Sequence, residues 1–128
     1  MPLHNLAQSF LLKDLNPEFS ISNSNPEYLI SFKDKILLSA YIPGYSTELA
    51  LFDTADLSLS LVKDISTCCS SNPEDFIVFN DQVFFTAINP DYGRELWITD
   101  GTNTGTLLVA DIFQGMESSD ISDMTISN

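Results

Sequence analysis

The chain has 128 residues, enough to bury the core of one domain, and 44% of them are hydrophobic, which excludes global disorder. A formal net charge of −13 excludes binding to nucleic acid or to an anionic membrane through charge alone. No apolar run is long enough to span a bilayer, so membrane insertion is not expected.

The N-terminal part is predicted to be a tail over residues 1–10, followed by a single β-repeat domain over residues 11–128. The opening "MPLHNLAQSFLLKDL" lacks the basic region and the small-residue cleavage site of an export signal. His4, the only histidine, lies in this tail, so no Ser-His-Asp set can be built without it.

The chain contains an internal repeat. "NPEYLISFKDKILLSAYIPGYSTELALFDTADLSLSLVKDI" (25–65) aligns without a gap with "NPEDFIVFNDQVFFTAINPDYGRELWITDGTNTGTLLVADI" (72–112), at an offset of 47 residues. "LLKDL" at 11–15 resembles the end of a unit, and "ISDMTIS" at 121–127 resembles the start of another. We therefore predict units over about 11–58 and 59–106, with a partial third unit over 107–128.

Within each unit the apolar residues have the period of a β-strand. "DFIVF" and "QVFFTAI" are apolar on both faces, as in strands held between two layers. Lys33-Asp34 and Asn80-Asp81 separate such runs and are predicted two-residue hairpin turns. "RELWIT" and "TLLVADI" are predicted as the third and fourth strands. The predicted fold class is all-β, with antiparallel four-stranded repeats of about 47 residues resembling β-propeller blades, in two full units with partial flanking units.

The two cysteines, Cys68 and Cys69, are adjacent between predicted strands. Adjacent cysteines cannot join distant elements and bridge each other only through a strained peptide, so free thiols are expected. The CxxC spacing of a metal site is absent.

The segment "ELWITDGTNTGTLLVADI" closely resembles the bacterial ELWxxDGT repeat. The residues that match its motif are Glu95, Leu96, Trp97, Asp100, Gly101, Thr102, Gly105 and Thr106. The resemblance implies a propeller-like fold in large, often exported proteins, hence an extracellular or cell-surface location, and attaches no activity to the motif. It covers about residues 11–127 and is weaker in the first unit.

The first unit departs from the motif at three positions. Ala50 replaces the tryptophan, and Thr54 and Ser58 replace the two glycines. Because a β-branched residue resists positive φ, the corner at Thr54 is predicted to be a different turn.

Two interpretations of Asp100-Gly101-Thr102 can be compared. As a structural corner, Asp100 accepts backbone N–H groups and Gly101 supplies a conformation that other residues avoid. As a calcium loop, the candidate residues fall at positions 1, 3, 5, 6 and 12 of an EF-hand-like spacing, namely Asp100, Thr102, Thr104, Gly105 and Asp111. Position 12 is Asp rather than Glu, no helix is expected to follow, and the first unit lacks the pattern. We expect the structural corner and no metal.

Trp97 is the only tryptophan and lies among apolar strand residues. Core packing is the preferred interpretation, and a sugar-stacking platform is the alternative. Glu95 is predicted to point to the same face, where an arginine of a neighbouring unit and a ligand both remain open as its partner.

No catalytic motif is found: GxSxG, HExxH, the Walker A loop and the dinucleotide-binding glycine pattern are absent, so neither an enzyme nor a cofactor is expected. The predicted function is a non-enzymatic structural or interaction module; the alternative is a lectin-like carbohydrate-binding module, with or without calcium. Since propellers close with about 4 to 8 blades, two units require a protein partner, neighbouring repeats or a homo-oligomer, or leave sticky faces exposed.

Overall fold

The computed structural model describes residues 23–127, and every regular element in that range is a β-strand. The strands are β1 (Glu27–Phe32), β2 (Lys35–Ile42), β3 (Ser46–Asp53), β4 (Ser58–Lys63), β5 (Glu74–Phe79), β6 (Gln82–Asn89), β7 (Gly93–Thr99) and β8 (Leu107–Ala110). The first sheet has the order β1-β2-β3-β4 and the second β5-β6-β7-β8, all antiparallel. The all-β prediction with antiparallel four-stranded sheets is confirmed. The predicted tail, His4 and the 11–15 segment lie outside the described residues.

Both predicted hairpin turns are confirmed. Phe32 pairs with Lys35 and Phe79 pairs with Gln82, which leaves two residues in each turn. At Asn80-Asp81 both residues have positive φ, 49° and 59°. In the other turn only Lys33 does, with a φ of 55°. The two turns thus have equal length and different backbone conformations.

The strands of the two sheets have matching positions along the chain. β5, β6 and β7 each begin 47 residues after β1, β2 and β3. The pairing matches as well: Ile30, Leu37 and Leu51 are opposite one another across three strands, as are their counterparts Ile77, Phe84 and Ile98. Positive φ recurs as well, at pairs of residues three positions apart. In each sheet one residue of the pair lies just before the first strand and the other lies inside it, and a third pair lies near the end of the chain. The pairs are Asn25 and Tyr28, Asn72 and Asp75, and Asp120 and Asp123.

The two sheets pack face to face around one main core. The first sheet and the segment after it contribute Phe32, Leu37, Leu49, Val62 and Ile65, and the second sheet contributes Val83, Phe85, Ala87 and Trp97. Burying one large apolar side chain of this kind contributes about 1.5–3 kcal/mol. A smaller cluster of Leu38, Ala40 and Ala50 is buried on the opposite face of the first sheet. The first sheet is therefore apolar on both faces, as the sequence pattern predicts.

We call the face of the second sheet that meets the first sheet its inner face. The other, which carries Ile77, Phe79, Phe84, Leu96 and Ile98, is its outer face.

Within residues 23–127, no helix is both long and apolar enough to cross a membrane.

Candidate functional site

The corner between β7 and β8, residues 100–106, contains most of the motif and is organised by Asp100. One oxygen, Oδ1, accepts hydrogen bonds from the backbone N–H of Thr102 at 2.9 Å and from the Thr102 hydroxyl at 2.6 Å. These hydrogen bonds stabilise the charged form and lower the pKa of the Asp100 carboxyl below its ordinary value. The predicted role of Asp100 as an acceptor within the turn agrees with this geometry.

The two motif glycines meet different requirements of the corner. Gly101 has a φ of +91°, in the region that favours glycine. Gly105 instead lies against the Asp100 carboxylate, and a Cβ atom at Gly105 would collide with that group. The second motif glycine is therefore needed for space, and the first for backbone conformation.

The motif residue Thr106 and Thr99, the last residue of β7, form a buried hydroxyl chain. Thr99 and Thr106 are both fully buried, and their hydroxyl oxygens are 2.7 Å apart. The Thr106 hydroxyl donates to the carbonyl of Thr102 at 2.6 Å, so the Thr99 hydroxyl donates to Thr106. Thr99 in turn accepts from the backbone N–H of Gly101 at 3.0 Å. Each buried hydroxyl thus has a partner inside the corner itself.

The calcium candidates are divided between two places. Asp100, Thr102 and Thr104 lie in the corner, where the Thr102 and Thr104 hydroxyl oxygens are 3.5 Å apart. Asp111 follows β8, and its Oδ2 accepts from the backbone N–H of Gly115 at 3.3 Å. In the part of the chain from 23 to 127, no group of three or more His, Cys, Asp or Glu residues is arranged to hold a metal ion.

The equivalent corner of the first sheet is shorter and differently built, as predicted from Thr54. Residues 54–57 connect β3 to β4, whereas residues 100–106 connect β7 to β8. Leu57, and not Thr54, has positive φ, at 59°. Asp53 pairs with Lys35 and also accepts from the backbone N–H of Ala55 at 2.9 Å, and these interactions lower the pKa of its carboxyl.

Two buried glutamates hold the segments that follow the fourth strands. Glu48 on β3 is fully buried and accepts from the backbone N–H of Ile65 at 2.9 Å and of Ser71 at 3.0 Å. The Ser71 hydroxyl adds a third hydrogen bond of 2.5 Å. Desolvation by burial outweighs these bonds and raises the pKa of the Glu48 carboxyl above its ordinary value.

Glu95 occupies the same place in the second sheet. It is fully buried on β7 and accepts from the backbone N–H groups of Ile112 at 3.1 Å and Phe113 at 3.4 Å. No arginine is among its hydrogen-bond partners in the described residues. Sequence reasoning missed this role for both glutamates, although the shared Glu-Leu pair at 48–49 and 95–96 was a signal for it.

Trp97 is buried, with 5% of its surface exposed, and pairs with Phe85 across the inner face. Its indole Nε1 is buried without a hydrogen-bond partner among the described residues. Trp97 therefore packs in the core and offers no open ring face to a sugar.

Arg94, three residues before Trp97 in the chain, donates to Glu74 at 2.9 Å and to the Thr86 hydroxyl at 3.2 Å.

The other reactive side chains are the exposed free thiols of Cys68 and Cys69. Their sulfur atoms are 2.8 Å apart, and the hydrogen bond with Cys68 raises the pKa of the Cys69 thiol. A raised pKa reduces the thiolate fraction, which is the form that acts as a nucleophile.

Comparison of the chain with protein-family models, curated proteins and solved structures finds no match.

Proposed function

We propose that the chain is a non-enzymatic structural and interaction module built from propeller-type repeats of the ELWxxDGT kind. The observation that carries the proposal is the recurrence of the buried glutamate. Glu48 and Glu95 are 47 residues apart. Each accepts a hydrogen bond from the backbone N–H of the residue 17 positions later, Ile65 and Ile112 respectively. A recurring long-range contact of this kind supports descent of both sheets from one repeated unit.

The packing of the sheets supports a blade-like arrangement. Leu37 on the first sheet belongs to the face that meets the second sheet, but its counterpart Phe84 belongs to the outer face. The first sheet thus uses one of its faces for the contact, and the second sheet uses the face that corresponds to the other face of the first. Successive propeller blades pack in this head-to-tail way. We place the two units in phase with the sheets, over 27–63 and 74–110, instead of the 11–58 and 59–106 expected from the sequence, which would separate β4 from its own sheet.

Hydrogen bonds near the C-terminus support the start of a third unit. The hydroxyl of Ser70 accepts from the N–H of Thr47, and that of Ser118 accepts from the N–H of Arg94, at 3.2 and 3.1 Å. Ser70 and Ser118 are 48 residues apart, as are the positive-φ residues Asp75 and Asp123. We infer that the third unit begins in the same way, shifted by one inserted residue.

The motif residues have structural tasks that support a scaffold role. Glu95 holds the segment after β8, Trp97 fills the core, and Asp100 orders the corner. Glu95 and Asp100 accept their hydrogen bonds from groups of the chain itself. The ELWxxDGT motif of this chain is accordingly proposed to specify a building block of the fold.

The experiment that tests the scaffold role replaces Trp97. Trp97→Ala is expected to cost about 3–5 kcal/mol of unfolding free energy, because it empties a large buried aromatic site. Since domains of this size have only about 5–15 kcal/mol in total, most of the folded population or the solubility should be lost. Urea denaturation followed by circular dichroism measures this cost. Trp97→Phe, which keeps an aromatic ring and removes the unpartnered N–H, is the matched control and should lose much less.

A glycan array with calcium or with a chelator separates the scaffold from the lectin-like alternative. The scaffold binds no glycan under either condition, and calorimetry shows no stoichiometric calcium binding that Asp100→Ala removes. A glycan signal abolished in a Trp97→Ala protein of undiminished stability would establish the lectin instead. Turnover in a panel of hydrolase substrates would contradict the non-enzymatic assignment.

A further inference from the structure

The first sheet has an apolar face on the side that points away from the second sheet, and this face is closed. We call it the far face; at its centre Leu38 is 1% exposed, and Ala40 and Ala50 are fully buried. Within residues 23–127, the apolar residues packed around this centre belong to the same sheet and are Ile36, Ile42, Phe52 and Leu59. Side chains on one face of a sheet stand side by side and do not cover one another. The burial of the far face is therefore not explained by its own sheet.

The outer face of the second sheet shows how an apolar face without a complete covering layer behaves. Phe84, Leu96 and Ile98 at its centre all keep part of their surface exposed. These side chains are large and shield one another better than alanines would. Leu38 is nevertheless more completely buried, although the residue paired with it, Ala50, is small. A layer of atoms from outside the first sheet is therefore needed to close the far face.

The far face corresponds, position by position, to the inner face of the second sheet. The corresponding residues, each 47 positions apart, are Leu38 and Phe85, Ala40 and Ala87, and Ala50 and Trp97. The inner face is covered in part by Val62 of β4 and by Ile65, two residues after the end of that strand. The repeat thus predicts, on the far face, the fourth strand of a preceding unit and the residues that follow it.

One segment that precedes the described residues has the sequence of such a strand. The segment "LLKDL" at 11–15 matches "LVKDI" at 61–65, with its Lys and Asp identical. The hydrophobic residues that this match aligns include Leu12 with Val62 and Leu15 with Ile65. The sequence therefore supplies two large apolar side chains at the same spacing as the two residues that cover the inner face.

The chain enters the first sheet in the same way as it enters the second. The carbonyl of Ser24 accepts from the backbone N–H of Tyr41 at 2.7 Å, and that of Ser71 accepts from Ile88 at 2.8 Å. Both partners of the one hydrogen bond lie 47 residues from those of the other. Ser24 follows the end of the matching segment by nine residues, which extend over roughly 30 Å. The segment is therefore within reach of the whole far face, since the eight residues of β2 span about 26 Å.

We propose that segment 11–15 packs on the far face of the first sheet, with Leu12 and Leu15 against Leu38. The inference rests on the proposed function, because it transfers a contact of one repeat unit to the other. The segment then takes the place of a preceding blade and caps the first sheet from within the same chain. End units of repeat arrays need such a cap, since an uncovered apolar face favours association with other molecules.

Nuclear Overhauser measurements on the full chain test this contact directly. Methyl groups of side chains in contact lie about 4–4.5 Å apart, close enough for strong cross-peaks. Cross-peaks are expected from the methyl groups of Leu12 and Leu15 to those of Leu38 and Ala40. Cross-peaks from Leu38 and Ala40 to other segments alone would overturn the proposal. So would cross-peaks found only between differently labelled copies in a mixed sample, because the segment would then cover the face of another copy.

Substitution of Leu12 tests what the contact contributes to stability. Leu12→Asp places a charge against an apolar face, so the variant should have a lower urea midpoint and bind more of the dye ANS than the native chain. Leu6→Asp makes the same change within the predicted tail and should leave both properties unchanged. A Leu12→Asp protein as stable as the native chain would contradict the proposal, as would equal effects of the two substitutions. Should Leu12→Asp not fold, Leu12→Ala gives the milder form of the same test.

Failure of the cap and failure of the proposed function give different results. If the cross-peaks are absent and Leu12→Asp is harmless while Trp97→Ala still loses its stability, the cap is excluded and the scaffold role remains. If Trp97→Ala is harmless as well, the scaffold role is lost with it.

Discussion

Glu48 accepts hydrogen bonds from both ends of the segment that connects the two sheets. Its carboxylate accepts from Ile65 at one end of the segment between the sheets and from Ser71 near the other. Three hydrogen bonds satisfy a group that would otherwise be very unfavourable in a buried position. Desolvation still dominates and raises the pKa of the carboxyl.

The raised pKa of Glu48 predicts a pH dependence of stability with a definite sign. Because folded Glu48 binds its proton more tightly than the unfolded chain, its contribution is complete below the ordinary pKa of 4.5 and is lost as the pH rises through the higher folded pKa. The unfolding free energy of the native chain, minus that of Glu48→Gln, should therefore fall as the pH increases from about 4.5 toward 7. Urea denaturation at a series of pH values measures this difference.

The lowered pKa values of Asp53 and Asp100 act in the opposite direction, since their contributions are lost as the pH falls. They are present in both proteins and cancel in the comparison. A difference that increased with pH would show that the hydrogen bonds of Glu48 outweigh its burial.

Local roles were predictable at the residue scale, and distant partners were not. The side chain of Asp100 binds Thr102, two residues away, and turn-forming Asp residues act over that range. Trp97 is buried because its strand is apolar. The partners of Glu48 lie 17 and 23 residues away, and no spacing rule links a strand glutamate to them.

At the scale of elements, the two hairpin turns differ although they occupy equivalent places. Asn80 and Asp81 both have positive φ, whereas Asp34, the counterpart of Asp81, does not. The sequence predicted both turn positions, because Asn and Asp interrupt apolar runs of period two. It did not predict the conformational difference, since Lys33 is not a residue that favours positive φ.

Glycine substitution should therefore have opposite effects in the two turns. Asp81→Gly relieves the strain of a φ of 59° and creates the favoured Asn-Gly pair, so we expect stabilisation of about 0.5 kcal/mol. Asp34→Gly gains no such relief and loses about 0.5–1 kcal/mol to the entropy of the unfolded chain. Thermal or urea unfolding of the two variants measures both changes. Equal effects of the same sign would mean that turn conformation does not govern either substitution.

At the scale of the whole molecule, the two sheets are joined by one core. Phe85 and Trp97 of the second sheet belong to the same buried cluster as Leu37 and Leu49 of the first. Neither sheet can separate without exposing the facing side chains of the other, so the sheets should unfold together.

A single unfolding transition is accordingly expected. Fluorescence of Trp97 reports on the inner face of the second sheet, and far-UV circular dichroism reports on the strands of both sheets. The two signals should give the same urea midpoint. Separate midpoints would show that one sheet persists without the other.

The sequence could predict the number and phase of the strands, but not the direction in which the sheets stack. Both faces of β2 and β6 are apolar, so either face of one sheet is chemically suited to cover the other. The choice depends on the path of the chain between β4 and β5, including the hydrogen bonds of Ser70 and Ser71 to β3. These contacts join residues 23 positions apart in the chain, and no local sequence rule predicts them.

The position of Glu48 also determines how mechanical force passes through the molecule. β4 is an edge strand, and the chain leaves it toward the second sheet. A pull that separates the two sheets would peel this edge strand away if the connection ended there. Because Glu48 binds Ile65 and Ser71 from β3, the load is shared with an interior strand that is hydrogen-bonded on both sides. We therefore expect Glu48→Gln to lower the force at which the two sheets separate, as measured by single-molecule pulling.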